Sequence, residues 1–70
     1  MAEAVLLVPG VAAVTDVLGP PVHQAGGAVR VEFAVAAEHP PAEVARAAHA
    51  AAAAAAPEGA AVTVLVTEVR

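Results

Sequence analysis

Pro40-Pro41-Ala42-Glu43-Val44-Ala45-Arg46, an alanine run through Ala56, Pro57-Glu58-Gly59 and then Ala60-Ala61-Val62-Thr63-Val64-Leu65-Val66-Thr67-Glu68-Val69 form the stretch that decides the fold. It predicts a helix over 41–56, a stop and a strand. Pro41 suits the first helical position, where its missing N–H would have had no intrahelical partner and its fixed φ is already helical. Glu43 sets a carboxylate in the first turn, against the positive end of the peptide dipoles. Alanine loses no rotamer freedom in a helix, so the run needs little tertiary help. Pro57 cannot continue it, and Gly59 supplies the turn.

Steps of 100° put Glu43, Arg46 and His49 on one ridge and Val44, Ala48, Ala51, Ala52 and Ala55 opposite. The second set is the expected buried stripe. Its side chains are nearly all methyl groups, which lets the helix lie close to a sheet but buries little apolar area per residue. Glu43 and Arg46, at i and i+3, are spaced for a solvated ion pair worth a few tenths of a kcal/mol.

Working outward, Ala28–Ala37 alternates most cleanly: Val29, Val31, Phe33 and Val35 against Arg30, Glu32, Ala34 and Ala36. The first set should face the helix, with Phe33 the largest core side chain. A further strand is predicted over Val11–Leu18, closed by Gly19-Pro20-Pro21. The connection from Val22 to Gly27 has no helical period and ends in a Gly26-Gly27 turn. Ala2–Val8 suits either a short helix or a buried strand; we read it as helix, ended by Pro9-Gly10. In the last strand Val62, Val64 and Val66 alternate with Thr63, Leu65 and Thr67, and an outer face carrying Leu65 and Val69 is either covered by the N-terminal segment or available to a partner. The expected architecture is α+β: a single domain over 1–70, a two-layer sandwich in α-β-β-α-β order, with a three-stranded sheet packed on one main helix. Its first strand is placed in the centre of the sheet.

A chain of 70 residues buries only about 60% of its unfolded surface, so stability should be small. With no cysteine, disulfides, thiolate zinc sites and iron–sulfur clusters are excluded, and self-association is the remaining way to compensate. The hydrophobic fraction of 60% comes mostly from alanine and valine, and no apolar run reaches the ~20 residues of a membrane span. Glu3 stands where a secretory signal would be basic, which makes the cytoplasm the expected compartment, with a peripheral position at the inner face of the membrane compatible. A net charge of −4 with three scattered cations, Arg30, Arg46 and Arg70, gives nucleic acid no basic patch, and the single aromatic residue gives it no stacking platform.

No constellation carries chemistry. Serine is missing altogether and threonine has no evident activating base. Gly26-Gly27 is too short to cradle a phosphate and leads into a strand. His23, His39 and His49 fall on a loop, before the helix and on its outer ridge, a pattern of surface histidines rather than converging zinc ligands. Asp16 beside Thr15 has no carboxylate neighbour in sequence and reads as a turn or edge residue. We therefore expect no cofactor and no metal, and take Thr63, Leu65, Thr67 and Val69 with Glu43, Arg46 and His49 as the candidate interaction surface.

Val8-Pro9-Gly10-Val11-Ala12, the valine-alternating strand ending before Pro40-Pro41, Ala42-Glu43-Val44-Ala45-Arg46-Ala47-Ala48 and the terminal Val62–Val69 together resemble the alkaline-shock-protein family of bacterial envelope stress response proteins. The likeness spans nearly the whole chain. It implies a small non-enzymatic domain that assembles with itself or docks to a membrane-anchored partner, without catalytic residues to carry over. The segment before Val8 is shorter than that family's leading helix. The alternative is a ferredoxin-like small-ligand or metal-binding domain using His23 and His39, which lacks the cysteine pair such metal chaperones use. An RNA-binding module of the same α/β type is a third reading.

Overall fold

The computed structural model describes all 70 residues. Its elements are α1 (Ala2–Leu6), β1 (Val11–Val14), β2 (Val22–Ala25), β3 (Ala28–Val35), α2 (Pro41–Ala55) and β4 (Ala61–Val69). The fold is α+β, as expected. Two details differ: the sheet is built from four strands rather than three, and its centre is β3 rather than the first strand.

β3 is central because it is apolar or enclosed on both faces. Val29, Val31, Phe33 and Val35 are buried on one side, while Glu32 and Ala34 are buried on the other. A strand covered on both faces belongs inside a sheet, not at its edge. β1 runs antiparallel along the C-terminal half of β3 (Val11↔Val35, Val14↔Phe33), and β2 along its N-terminal half (Val22↔Val31, Ala25↔Ala28). These two short strands thus lie end to end on one side. β4 lies on the other side, parallel to β3, as the β3–α2–β4 crossover requires.

The strand expected over 11–18 stops at Val14 because Thr15–Pro21 leaves the ladder. Residues expected as a connection, Val22–Ala25, instead form β2. Gly26 and Gly27 do make the turn, both at positive φ (57° and 78°), the conformation of a two-residue hairpin whose twist matches its strands. Pairing with β3 across this tight turn makes Val22–Ala25 a strand despite its weak alternation.

Val5 from α1 and Val44, Ala48 and Ala52 from α2 pack on the valines and Phe33 of β3 in one core. Phe33 is the largest fully buried side chain. Of the expected helix stripe, Val44, Ala48 and Ala52 are buried, Ala51 is half-buried and Ala55, in the last turn, is exposed. Methyl-lined packing of this kind accounts for the small core: only 11 residues are buried, two of them polar.

Candidate functional site

The face of the sheet away from the helices holds a polar cluster. Glu32 points from the middle of β3 to that side and is fully enclosed. What encloses it is the Thr15–Pro21 insertion, whose two ends are pinned at the same rung: Thr15 N–H donates to the Glu32 carbonyl, and the Glu32 N–H donates to the Pro21 carbonyl, both at 3.1 Å. Between those pins the loop arches over the carboxylate, and its own backbone supplies donors. Val17 N–H reaches Oε1 at 2.6 Å and Leu18 N–H reaches Oε2 at 3.0 Å.

Hydroxyl groups extend the cluster with a fixed direction. Thr15 Oγ1 donates to Glu32 Oε1 at 3.0 Å, so its one proton is used. Thr67 of β4, 2.7 Å from Thr15 Oγ1, must then be the donor in that pair. The same Thr67 hydroxyl also lies 3.3 Å from the Phe33 carbonyl, a weaker shared contact. The chain Thr67 to Thr15 to Glu32 ties β4, the insertion and β3 together. Replacing Thr67 by valine keeps the shape and removes the hydroxyl; we expect a loss of about 1 kcal/mol in urea unfolding. An unchanged unfolding midpoint would show that the chain of hydroxyls is idle.

Burial alone would push the Glu32 carboxyl up. The Leu18 and Val17 N–H groups, the Thr15 hydroxyl and the Arg30 charge outweigh it and hold the carboxyl below its ordinary value of 4.5. Arg30 runs along the same face beneath Gly19, and its Nε is buried without a partner. An ionised, enclosed carboxylate already saturated with donors is a poor general base. Chemically this cluster is a lock that fastens the insertion to the sheet. Fastening the loop by its backbone leaves the side chains of Val17 and Leu18 outside, 67% and 61% exposed.

The residues expected to form an interaction surface fall into separate places. Glu43, Arg46 and His49 are exposed on α2, but no Glu43–Arg46 ion pair forms; the one salt bridge joins Arg70 to Glu68. His49 instead reaches across to β4, its Nε2 donating to the Val62 carbonyl at 3.1 Å. Thr63 is exposed and Leu65 half-buried on the outer face, while Thr67 is committed to the polar cluster. Val69 is a correction. The register shifts between Phe33 and Ala34, so Val69 pairs with Val35 and lies on the helix side rather than beside Leu65.

Sequence reasoning missed Glu32, Thr15 and the exposed pair Val17 and Leu18. One signal was present: a glutamate in the middle of the most apolar strand, which only a covering segment could make stable. His23 sits on β2 opposite Arg30, whereas His39 packs against Gly10. No group of three or more His, Cys, Asp or Glu side chains converges. The larger surface depression, about 330 Å³, lies between the β2–β3 turn and Pro57–Ala60, and Glu58 is its only charged residue. No helix is long and apolar enough to cross a membrane. No protein-family model matches the chain, and neither a curated protein nor a solved structure does.

Proposed function

We propose that this chain is a non-enzymatic protein-interaction module, working by self-association or by docking to a membrane-anchored partner, as its resemblance to envelope stress response proteins implies. The observation that carries the reading is the free side of β4. This strand has nine residues and pairs with β3 alone, so its other edge presents unpaired backbone groups. Exposed Leu7, Val17 and Leu18 add apolar surface on a molecule with little core to spare. On this reading the domain works in the cytoplasm or at the inner face of the membrane, without a cofactor.

Light scattering across micromolar concentrations, together with affinity capture from a bacterial membrane extract, tests it. Masses above the 6.8 kDa of one chain, or a captured membrane protein lost on mutating the β4 edge, are expected. A stable monomer that captures nothing would end the proposal.

A further inference from the structure

The two sides of the sheet are finished differently. On the β1–β2 side the edge is interrupted by the Thr15–Pro21 insertion, which ends in Pro20-Pro21, and by a register shift between Val11 and Ala13. Breaks, bulges and prolines are the means by which edges are kept from pairing with other chains. The β4 side runs without a break from Ala61 to Val66, where the register shift that bulges Thr67 begins, with no proline and no charge before Glu68. Ahead of that bulge it is an uncharged edge of six residues left open.

Which groups it offers follows from the register. Ala61 N–H donates to the Gly27 carbonyl, so Ala61, Thr63 and Leu65 turn their backbone groups toward β3. Val62, Val64 and Val66 therefore turn theirs away. The Val62 carbonyl is already taken by His49. Val64 and Val66 keep both N–H and C=O free.

Residues 63–67 read Thr-Val-Leu-Val-Thr, the same in either direction. An antiparallel partner of identical sequence centred on Leu65 sets Val64 opposite Val66 of the second copy, each such pair exchanging both backbone bonds, with Thr63 opposite Thr67 and Leu65 opposite Leu65. This register uses the groups that remain free and leaves His49 on Val62. Centring on Val64 instead would set Val66 N–H against the carbonyl that His49 occupies. No like charges meet, because Glu68 falls opposite Val62.

We infer that β4 pairs edge to edge with β4 of a second copy of this chain, antiparallel about a two-fold axis at Leu65, which joins the two sheets into one. The inference rests on the interaction reading above and names its partner. Such an axis is perpendicular to the sheet and places both copies of α2 on the same face, side by side across the junction. At 100° per residue, the flank of α2 that carries His49 toward this edge also carries Ala42, Ala45 and Ala53. Alanine there allows the helices to approach at the close end of the 8–10 Å range typical of helix pairs.

The chain contains no cysteine, so an introduced thiol reports the register by itself. In this arrangement Leu65 faces its own copy at a non-hydrogen-bonded pair, where β-carbons come close enough for a disulfide. Under mild oxidation Leu65→Cys is expected to form a covalent dimer at least roughly tenfold faster than Thr63→Cys, whose thiol faces Thr67. Wild-type protein should show twice the chain mass in light scattering. If it is dimeric yet Leu65→Cys crosslinks no faster than Thr63→Cys, the β4 pairing is overturned while self-association stands. A monomer that captures a membrane protein overturns the pairing and keeps the docking arm; a monomer that captures nothing overturns both.

Discussion

Replacing Glu32 by alanine should lower the melting midpoint by at least roughly 10 °C, the largest effect expected on the outer face of the sheet. The substitution strands the Val17 and Leu18 N–H groups and the Thr15 hydroxyl without an acceptor, and it leaves Arg30 without the negative charge that balances it. Buried donors left unmade cost more than the bonds were worth when formed. The Thr15–Pro21 insertion should then peel away, seen as fast amide exchange at Val17 and Leu18. Glu32→Gln keeps one acceptor but turns an amide NH₂ toward a backbone N–H, so its loss should be intermediate. The pH dependence follows the same carboxyl. Because folding holds it below its ordinary value of 4.5, its contribution is complete above that pH and is lost as pH falls through the lower folded value. Acidification below about 4.5 should therefore destabilise wild type more steeply than Glu32→Gln. Equal slopes would mean that this carboxylate is not what fastens the loop.

Gly10→Val should cost roughly 3–5 kcal/mol, from two sources that act together. Gly10 has φ of 96°, in the region that side chains disfavour. A β-carbon there would also lie 2.5 Å from Val44 Cγ2 and 2.9 Å from the His39 ring. Val44 is 3% exposed and held in the core, so it has little room to yield. The joint between α1 and β1 is thus pressed against the start of α2. A chain of this length has a total stability of roughly 4–10 kcal/mol, so most of it is at stake. Gly26→Ala separates the two sources: φ there is also positive, but nothing lies within 4 Å of the added carbon. Thermal unfolding should show a shift of about 1–2 kcal/mol for Gly26→Ala and a far larger one at Gly10. Comparable shifts at both positions would remove the contact with Val44 from the account.

The helix, the alternating strand and the final strand were readable because each rests on local signals: Pro41 and Pro57 as bounds, alanine propensity, and valines at period two. Phe33 as the largest core residue and the stripe Val44, Ala48 and Ala52 follow from the same periods. What was not readable depends on contacts distant in sequence. Val22–Ala25 becomes a strand only because Gly26-Gly27 folds it back on β3. Val11–Leu18 is cut at Val14 because Thr15, Val17 and Leu18 are drawn to Glu32, a residue 14 to 17 positions away. The register shift that moves Val69 to the helix side depends on how β4 meets β3 at Ala34 and leaves no mark in the alternation itself. His49 illustrates the same point: its place on an exposed ridge was legible, its bond to the Val62 carbonyl was not.

The interaction surface changes accordingly. Glu43 and Arg46 lie on the solvent side of α2, Thr67 serves the polar lock, and the part of the candidate set that remains together is Thr63 and Leu65 with His49 at the edge of β4. The lock and the edge are connected, because Thr67 hydrogen-bonds Thr15 while belonging to the strand that is left open. Losing Glu32 should therefore weaken pairing as well as stability.

Hydrogen exchange at β4, followed by NMR over a concentration series, tests the open edge most directly. At low micromolar concentration the Val64 amide should exchange about 100-fold faster than those of Thr63 and Leu65, which donate to β3. As the concentration rises, Val64 and Val66 should gain protection together while Thr63 and Leu65 stay as they were. Protection of Val64 that is the same at every concentration, whether high or low, would contradict the pairing of two copies along this strand.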